Sequence, residues 1–168
     1  MNCIVNVTEN WGIGRENQLI APISADLKRF RRLTSGKVVI LGRKTLATFP
    51  GGAPLKNRVN LVLSSDRALI INGATVAHNL QELFEQCRQY PEDDLWVIGG
   101  ASIYELLLPY CKAAQITRTF SRPQADRFFP DLDALENWSV THASKQMEED
   151  GISFQYLDYV NSSPRSYR

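Results

Sequence analysis

The chain has 168 residues, 43% hydrophobic and 22% charged, with 19 basic residues against 18 acidic ones and a formal net charge of +1. That length supports one globular domain over residues 1–168, with a core that needs no covalent staple, and so balanced a charge gives no field of the kind nucleic acid attracts. Cys3, Cys87 and Cys111 lack CxxC spacing, and His78 and His142 stand far apart as surface or loop histidines, so neither a disulfide framework nor a metal site is expected. A reducing cytoplasm fits this cysteine usage.

In chain order, "CIVNV" is a short β-branched apolar run and reads as a strand. The first residues carry no secretory pattern, and no later run approaches a membrane span. The segment "NQLIAPISADLKRF", Asn17 to Phe30, then leads into a helix from Ser24 to Leu33. Ser24 is expected to cap it, with Asp26 at its second position, where the helix dipole favours an acid. Leu27, Phe30 and Leu33 form its apolar stripe, and Asp26 lies four residues before Phe30 on the edge of that stripe. A carboxylate turned partly toward apolar surroundings has a raised pKa. Two readings of Asp26 therefore stand together, a helix-start acid and a catalytic one. The basic run "KRFRR", Lys28 to Arg32, reads as a solvated helix face.

Further strands are expected at "KVVIL" from Lys37, "VNLVL" from Val59, "ATVA" from Ala74, "LWVIG" from Leu95 and "AQITRTF" from Ala114. Helical patterns lie between them: a short one after Gly42, "NLQELFEQCRQY" from Asn79 and "SIYELLLPY" from Ser102. This alternation predicts an α/β fold with a mainly parallel central sheet flanked by helices. The tail differs, because "WSVTHASKQ" and "ISFQYLDYV", joined by "MEEDG", read as a C-terminal antiparallel hairpin on one edge.

Three strands end alike, "KVVIL" in "GRKT", "VNLVL" in "SSDR" and "LWVI" in "GGAS". Ligands of open α/β sheets bind beyond the carboxyl ends of strands, and glycine before a helix lets the backbone approach an anion. With Arg43, Lys44 and Arg67 nearby, these ends suit a phosphorylated dinucleotide. "GIGREN" lacks the third glycine of a dinucleotide turn and "GRKT" lacks P-loop spacing, which disfavours a Rossmann dehydrogenase or a nucleotide kinase.

"NCIVNV…WGIG", Asp26 before a helix carrying Phe30, "VVILGRKT", "PLKNRVNLVLSS", "WVIGGASIYELLLP", "ITR" and "ADRFFP" occur in the order and spacing of dihydrofolate reductase, which the chain resembles over essentially its whole length. The resemblance implies NADPH-dependent reduction of 7,8-dihydrofolate to 5,6,7,8-tetrahydrofolate, with hydride going to pterin C6 and a proton to N5, in support of one-carbon metabolism. By that match Asp26 is the acid of the pterin pocket and Thr117 orients it. Val5, Leu27, Phe30, Phe49, Leu55 and Ile98 would enclose the pterin and aminobenzoyl rings, and Arg58 would pair with the α-carboxylate of the glutamate tail. For the cofactor, Ile13 and Leu19 flank a loop over the nicotinamide, and the backbone of Asn6 meets its carboxamide. Gly42, Arg43, Lys44 and Thr45 form a phosphate turn, while Ser64, Ser65 and Arg67 hold the 2′-phosphate. Gly99 and Gly100 share a cis peptide ahead of Ala101, Ser102, Ile103 and Tyr104, and Asp126 steadies the loop. No metal is implied. The implied partners are dihydrofolate and antifolate inhibitors, with no nucleic acid and no membrane, and the molecule is expected to be a monomer.

The sequence departs from the family pattern at Ile20, Ala21 and Ser24, where Pro, Trp and Pro are usual, and at Arg127, where Thr is common. The usual Trp holds a water beside the substrate and closes the pocket, and Ala21 supplies neither function. Two other readings stay open: a reductase of the riboflavin pathway, which needs no Arg58, and an NADPH-binding protein without catalysis.

Overall fold

The computed structural model describes residues 1–16 and 18–168. Strand β1 (Asn2–Thr8) is followed by the short β2 (Gly12–Arg15) and β3 (Gln18–Leu19), then helix α1 (Ser24–Thr34), β4 (Val38–Gly42), α2 (Arg43–Ala47), β5 (Val59–Leu63), β6 (Thr75–Ala77) and α3 (Leu80–Cys87). The second half holds β7 (Leu95–Gly99), α4 (Ala101–Leu107), β8 (Ala113–Thr119), β9 (Arg127–Phe128), β10 (Trp138–Ala143), β11 (Met147–Glu149) and β12 (Ile152–Asn161). The main sheet runs β10-β12-β8-β1-β7-β4-β5-β6, with β11 added on β12. From β8 to β6 every pairing is parallel, and β12 pairs antiparallel with β8, β10 and β11.

The continuous apolar runs fit strands covered on both faces. Along β4 the side chains alternate between two cores: Val38 and Ile40 join one with Leu83 and Cys87 of α3 and Leu107 of α4, while Val39 and Leu41 join the other with Leu46 of α2. Phe30 and Leu33 of α1 pack against that second core. The expected long helix after Ser102 stops at Leu107 and continues as a 3-10 turn over Leu108–Tyr110, because Pro109 has no N–H for an α-helical bond.

Three expectations are corrected. Ser24 is the first helical residue and Ile23 the N-cap, so Asp26 is third. The cap comes from across the chain: the Glu149 carboxylate accepts the Ser24 N–H at 2.5 Å and the Ala25 N–H at 3.0 Å. The tail forms the expected antiparallel hairpin on one edge, β10 against β12, but Met147–Glu149, expected as part of its turn, is strand β11. Only Asp150 and Gly151 turn, both at positive φ, which a two-residue hairpin of this hand requires. Finally, "KRFRR" is not all solvated, because Arg29 is 6% exposed. A second small sheet, β3-β2-β9, has strands too short to carry a sequence pattern. No helix among the described residues is long and apolar enough to cross a membrane.

Candidate active site

One large cleft of about 1190 Å³ runs past the carboxyl ends of β4, β5 and β7 and along α1. Its volume exceeds a typical single-ligand pocket of about 300–1,000 Å³. The parallel strands deliver their ends to one edge, and helices α2 and α4 begin there.

On its apolar side the cleft is lined by Val5 of β1, Leu27 and Phe30 of α1, Phe49 and Ile98. This explains why the stripe of α1 is only partly buried: Leu27 is 52% exposed because it faces the cleft and not the core. Asp26 stands in the same wall. Its Oδ1 accepts the Thr117 hydroxyl at 2.6 Å, and Thr117 is itself buried in the central strand β8. Burial pushes the Asp26 pKa above the usual carboxylate value, against the Thr117 bond, the charge of Arg29 and the Asn6 amide, all of which pull it down. The acid is thus poised to hold a proton more readily than an exposed aspartate.

Arg29 sits behind the acid. Its Nη2 donates to Gln115 Oε1 at 2.6 Å and Asp158 Oδ1 at 3.1 Å, and its guanidinium lies over the Tyr156 ring at 4.4 Å. No pattern in the sequence separates this arginine from its basic neighbours. The spacing to Asp26 is the one available signal.

At the other side, Gly42, Arg43, Lys44 and Thr45 line the cleft from the β4–α2 junction, and Ser64 and Ser65 follow β5. Gly99, Gly100, Ala101, Ser102, Ile103 and Tyr104 line it from the β7–α4 junction. The Gly99–Gly100 peptide is cis. Close packing favours glycine at both positions: a Cβ on Gly99, at φ +121°, would meet the Tyr104 ring at 3.2 Å, and one on Gly100 would meet Thr45 Oγ1 at 3.0 Å. The Tyr104 hydroxyl donates to the Ile4 carbonyl at 2.7 Å, locking the ring beneath this turn. Asn6, Ile13 and Leu19 complete the wall near the small sheet, which Asp126 fastens by accepting the Glu16 N–H at 3.0 Å.

Four of the residues expected at the site do not line the cleft: Thr117 acts from behind Asp26, and Leu55, Arg58 and Arg67 lie outside the lining. Arg58 donates from Nε to Thr34 Oγ1 at 2.8 Å and from Nη1 to the Lys56 carbonyl at 2.7 Å, with its guanidinium 5.7 Å from the Phe30 ring centroid. Two of its five N–H groups are spent there, which leaves the rest of the fork for a carboxylate. Ala21, expected in the pocket wall, is absent from the lining and is buried, and its carbonyl accepts Asn6 Nδ2 at 2.8 Å. Gly14, Gln18, Pro22, Thr48, Asp66 and Glu105 also line the cleft and carry no signal in the sequence, because such types are ordinary in loops and helix ends, and Arg127, one of the departures from the family pattern, lines it too.

The family model described as dihydrofolate reductase matches residues 1–161. The dihydrofolate reductase of Rattus norvegicus is 34% identical, with 95% of this chain and 96% of that protein covered. That of Bacillus subtilis is 33% identical, covering 86% and 83%. Among solved structures, dihydrofolate reductase from Enterococcus faecalis, complexed with NADP(H) and RAB-propyl, superposes with a TM-score of 0.85 at 27% identity over 95% of each chain.

Proposed function

The chain belongs to the dihydrofolate reductase family and is an NADPH-dependent oxidoreductase, and from that premise we propose that it reduces 7,8-dihydrofolate to 5,6,7,8-tetrahydrofolate, with Asp26 as its proton-handling acid, in the service of one-carbon metabolism. The observation that carries this reading is the Asp26–Thr117 pair set in an apolar wall of the same cleft that two glycine-bearing strand ends open into.

NADPH, when bound, supplies the hydride that reaches pterin C6. The fit of the cleft to such a cofactor rests on the Gly99–Gly100 turn, whose backbone lines the cleft at the start of α4 and carries no side chain to hold a flat ring and its phosphates away. Arg43 and Lys44 at the start of α2, with Ser64 and Ser65, offer charge and hydroxyl donors to phosphate oxygens. Val5, Leu27, Phe30, Phe49 and Ile98 exclude water from a flat aromatic substrate. Arg58 holds the substrate's carboxylate tail beyond Phe30 with the unspent part of its fork.

An imine is a poor hydride acceptor at its carbon until its nitrogen carries a proton, so a carboxyl group that stays protonated toward neutral pH favours the step. Asp26 holds that proton beside N5, and Thr117, by donating to Oδ1, fixes the orientation of the carboxyl group. Antifolates with a basic ring would pair with the ionised form of the same group.

The deciding measurement is the loss of NADPH absorbance on adding dihydrofolate, which is expected to require both reactants and to be blocked by an antifolate. Turnover with a ribosylated pyrimidine in place of dihydrofolate would move the chain to the riboflavin-pathway reductases. No turnover with either would leave a cofactor-binding protein.

A further inference from the structure

The sheet beneath α1 carries a polar patch that its core does not need. On β8, Gln115 and Thr117 are two residues apart and so share a face, and their register partners on β12 are Asp158 and Tyr156. The residues that alternate with them, Ala114, Ile116, Leu157 and Tyr159, join the core on the other face. Four polar side chains thus form a rectangle, and α1 is bonded to every corner of it. Asp26 takes one corner by accepting the Thr117 hydroxyl at 2.6 Å. Arg29 takes the other three: Nη2 donates to Gln115 Oε1 at 2.6 Å and to Asp158 Oδ1 at 3.1 Å, and the guanidinium lies 4.4 Å from the Tyr156 ring centroid.

The spacings match. Residues three apart on a helix are neighbours on one face with Cβ atoms about 5–6 Å apart, and alternate residues of a strand stand about 6.5–7 Å apart. Arg29 is buried, and Asp158 is its one carboxylate partner among the described residues. It forms no ion pair with Asp26, so it acts on the acid through the seat of the helix and through its charge.

We infer that Arg29 is a positioning residue for the acid: by binding Gln115, Asp158 and Tyr156 it seats α1 on the sheet where Asp26 meets Thr117, and it keeps a buried cation within one helical turn of that carboxyl group. This rests on the reading of Asp26 as the acid of dihydrofolate reduction. The place calls for arginine, because a planar fork can hold an amide oxygen and a carboxylate while stacking on a ring, and an ammonium group cannot. The cation favours the ionised acid and so opposes the effect of burial. The other charged or titratable groups about the pair are Lys28 and Arg32 on α1, Glu149 on β11, His142 on β10 opposite Asp158, Tyr156 itself and Tyr104 on α4. Among the described residues none of these hydrogen-bonds to Gln115 or Thr117, so the two ties from α1 to β8 are those of Asp26 and Arg29.

The test compares Arg29→Lys, which keeps the charge and loses the fork, with Arg29→Leu, which loses both. Arg29→Leu with Asp158→Ala serves where the lone Asp158 charge keeps the single variant from folding. In the ligand-free protein the Asp26 carboxyl carbon, followed by NMR, is expected to titrate higher by about half a pH unit or more in the Leu-bearing variants, and by less in Arg29→Lys. The pH profile of single-turnover hydride transfer should move the same way, and its plateau should fall by about threefold or more in Arg29→Lys and Arg29→Leu alike as the seat is lost. A merely structural Arg29 would lower the melting temperature and leave titration and plateau as in wild type. An unmoved Asp26 titration in the Leu-bearing variants, or an unchanged plateau in all of them, would overturn the proposal. The titration needs no turnover, so a wild-type protein inactive on dihydrofolate would sink the functional reading while the titration still decides whether Arg29 governs the acid.

Discussion

At Asp26, the balance between burial and its donors sets both chemistry and stability. Because its folded pKa is raised, the native state holds the proton more tightly than the unfolded chain, and stability falls as pH rises from the unfolded pKa through the folded one. Asp26→Asn, whose carbonyl can still accept the Thr117 hydroxyl, should therefore unfold at higher denaturant than wild type at pH 7, with the gap closing below about pH 4. The same change should lower turnover at neutral pH by about two orders of magnitude or more, with NADPH affinity retained. Wild-type hydride transfer should slow as pH rises through the pKa of the acid, and Asp26→Asn should lose that dependence. For Arg58, half-buried and already bonded to Thr34 and Lys56, replacement by Leu should weaken dihydrofolate binding by roughly 2–5 kcal/mol and spare ligands without the glutamate tail. Equal losses in titrations of both ligand types would make Arg58 a structural residue.

Helix α1 is held at its start and its middle by the C-terminal strands. Glu149 of β11 satisfies the Ser24 and Ala25 N–H groups, and although burial alone would raise its pKa, those two bonds draw it below the usual glutamate range. Its contribution is thus present above the unfolded pKa and lost as pH falls through the lower folded one. Glu149→Gln should lower the melting temperature by roughly 2–4 °C at pH 7, converging on wild type in acid, as thermal scans across pH would reveal. Farther along, Arg29 meets Asp158 of β12. Asp158→Ala leaves a buried guanidinium with Gln115 as its remaining hydrogen-bond partner, and should cost roughly 2–4 kcal/mol in urea unfolding. Arg29→Leu with Asp158→Ala should recover much of that loss, because removing both charges removes the unpaired one.

At the scale of the molecule, a cleft between the strand ends and α1 means that a ligand bound there braces both. NADPH at 100 times its dissociation constant should stabilise the fold by about 2.7 kcal/mol, and NADH at the same concentration by less, given Arg43, Ser64 and Ser65. Arg43→Ala should narrow that difference in thermal shift. Much of this architecture was legible in the chain. The runs at Val59–Leu63 and Leu95–Gly99 are strands over their full predicted spans, because short apolar runs with β-branched residues, the first broken only by Asn60, suit strands covered on both faces. The motifs around Gly42 and Gly99 pointed to the strand ends at the cleft, since a glycine before a helix is a local requirement written in one or two residues. Beyond the Asp26–Thr117 pair that the resemblance implied, the chain did not reveal relations between distant residues. The cap on α1 comes from Glu149 and not from the adjacent Ser24, Arg29 is buried within a basic run, and the Asn6 amide reaches the Ala21 carbonyl. Local pattern encodes which face of an element is apolar; which polar group meets which across more than 80 residues is decided only when the sheet brings β12 and β8 beside β1 and lays α1 against them.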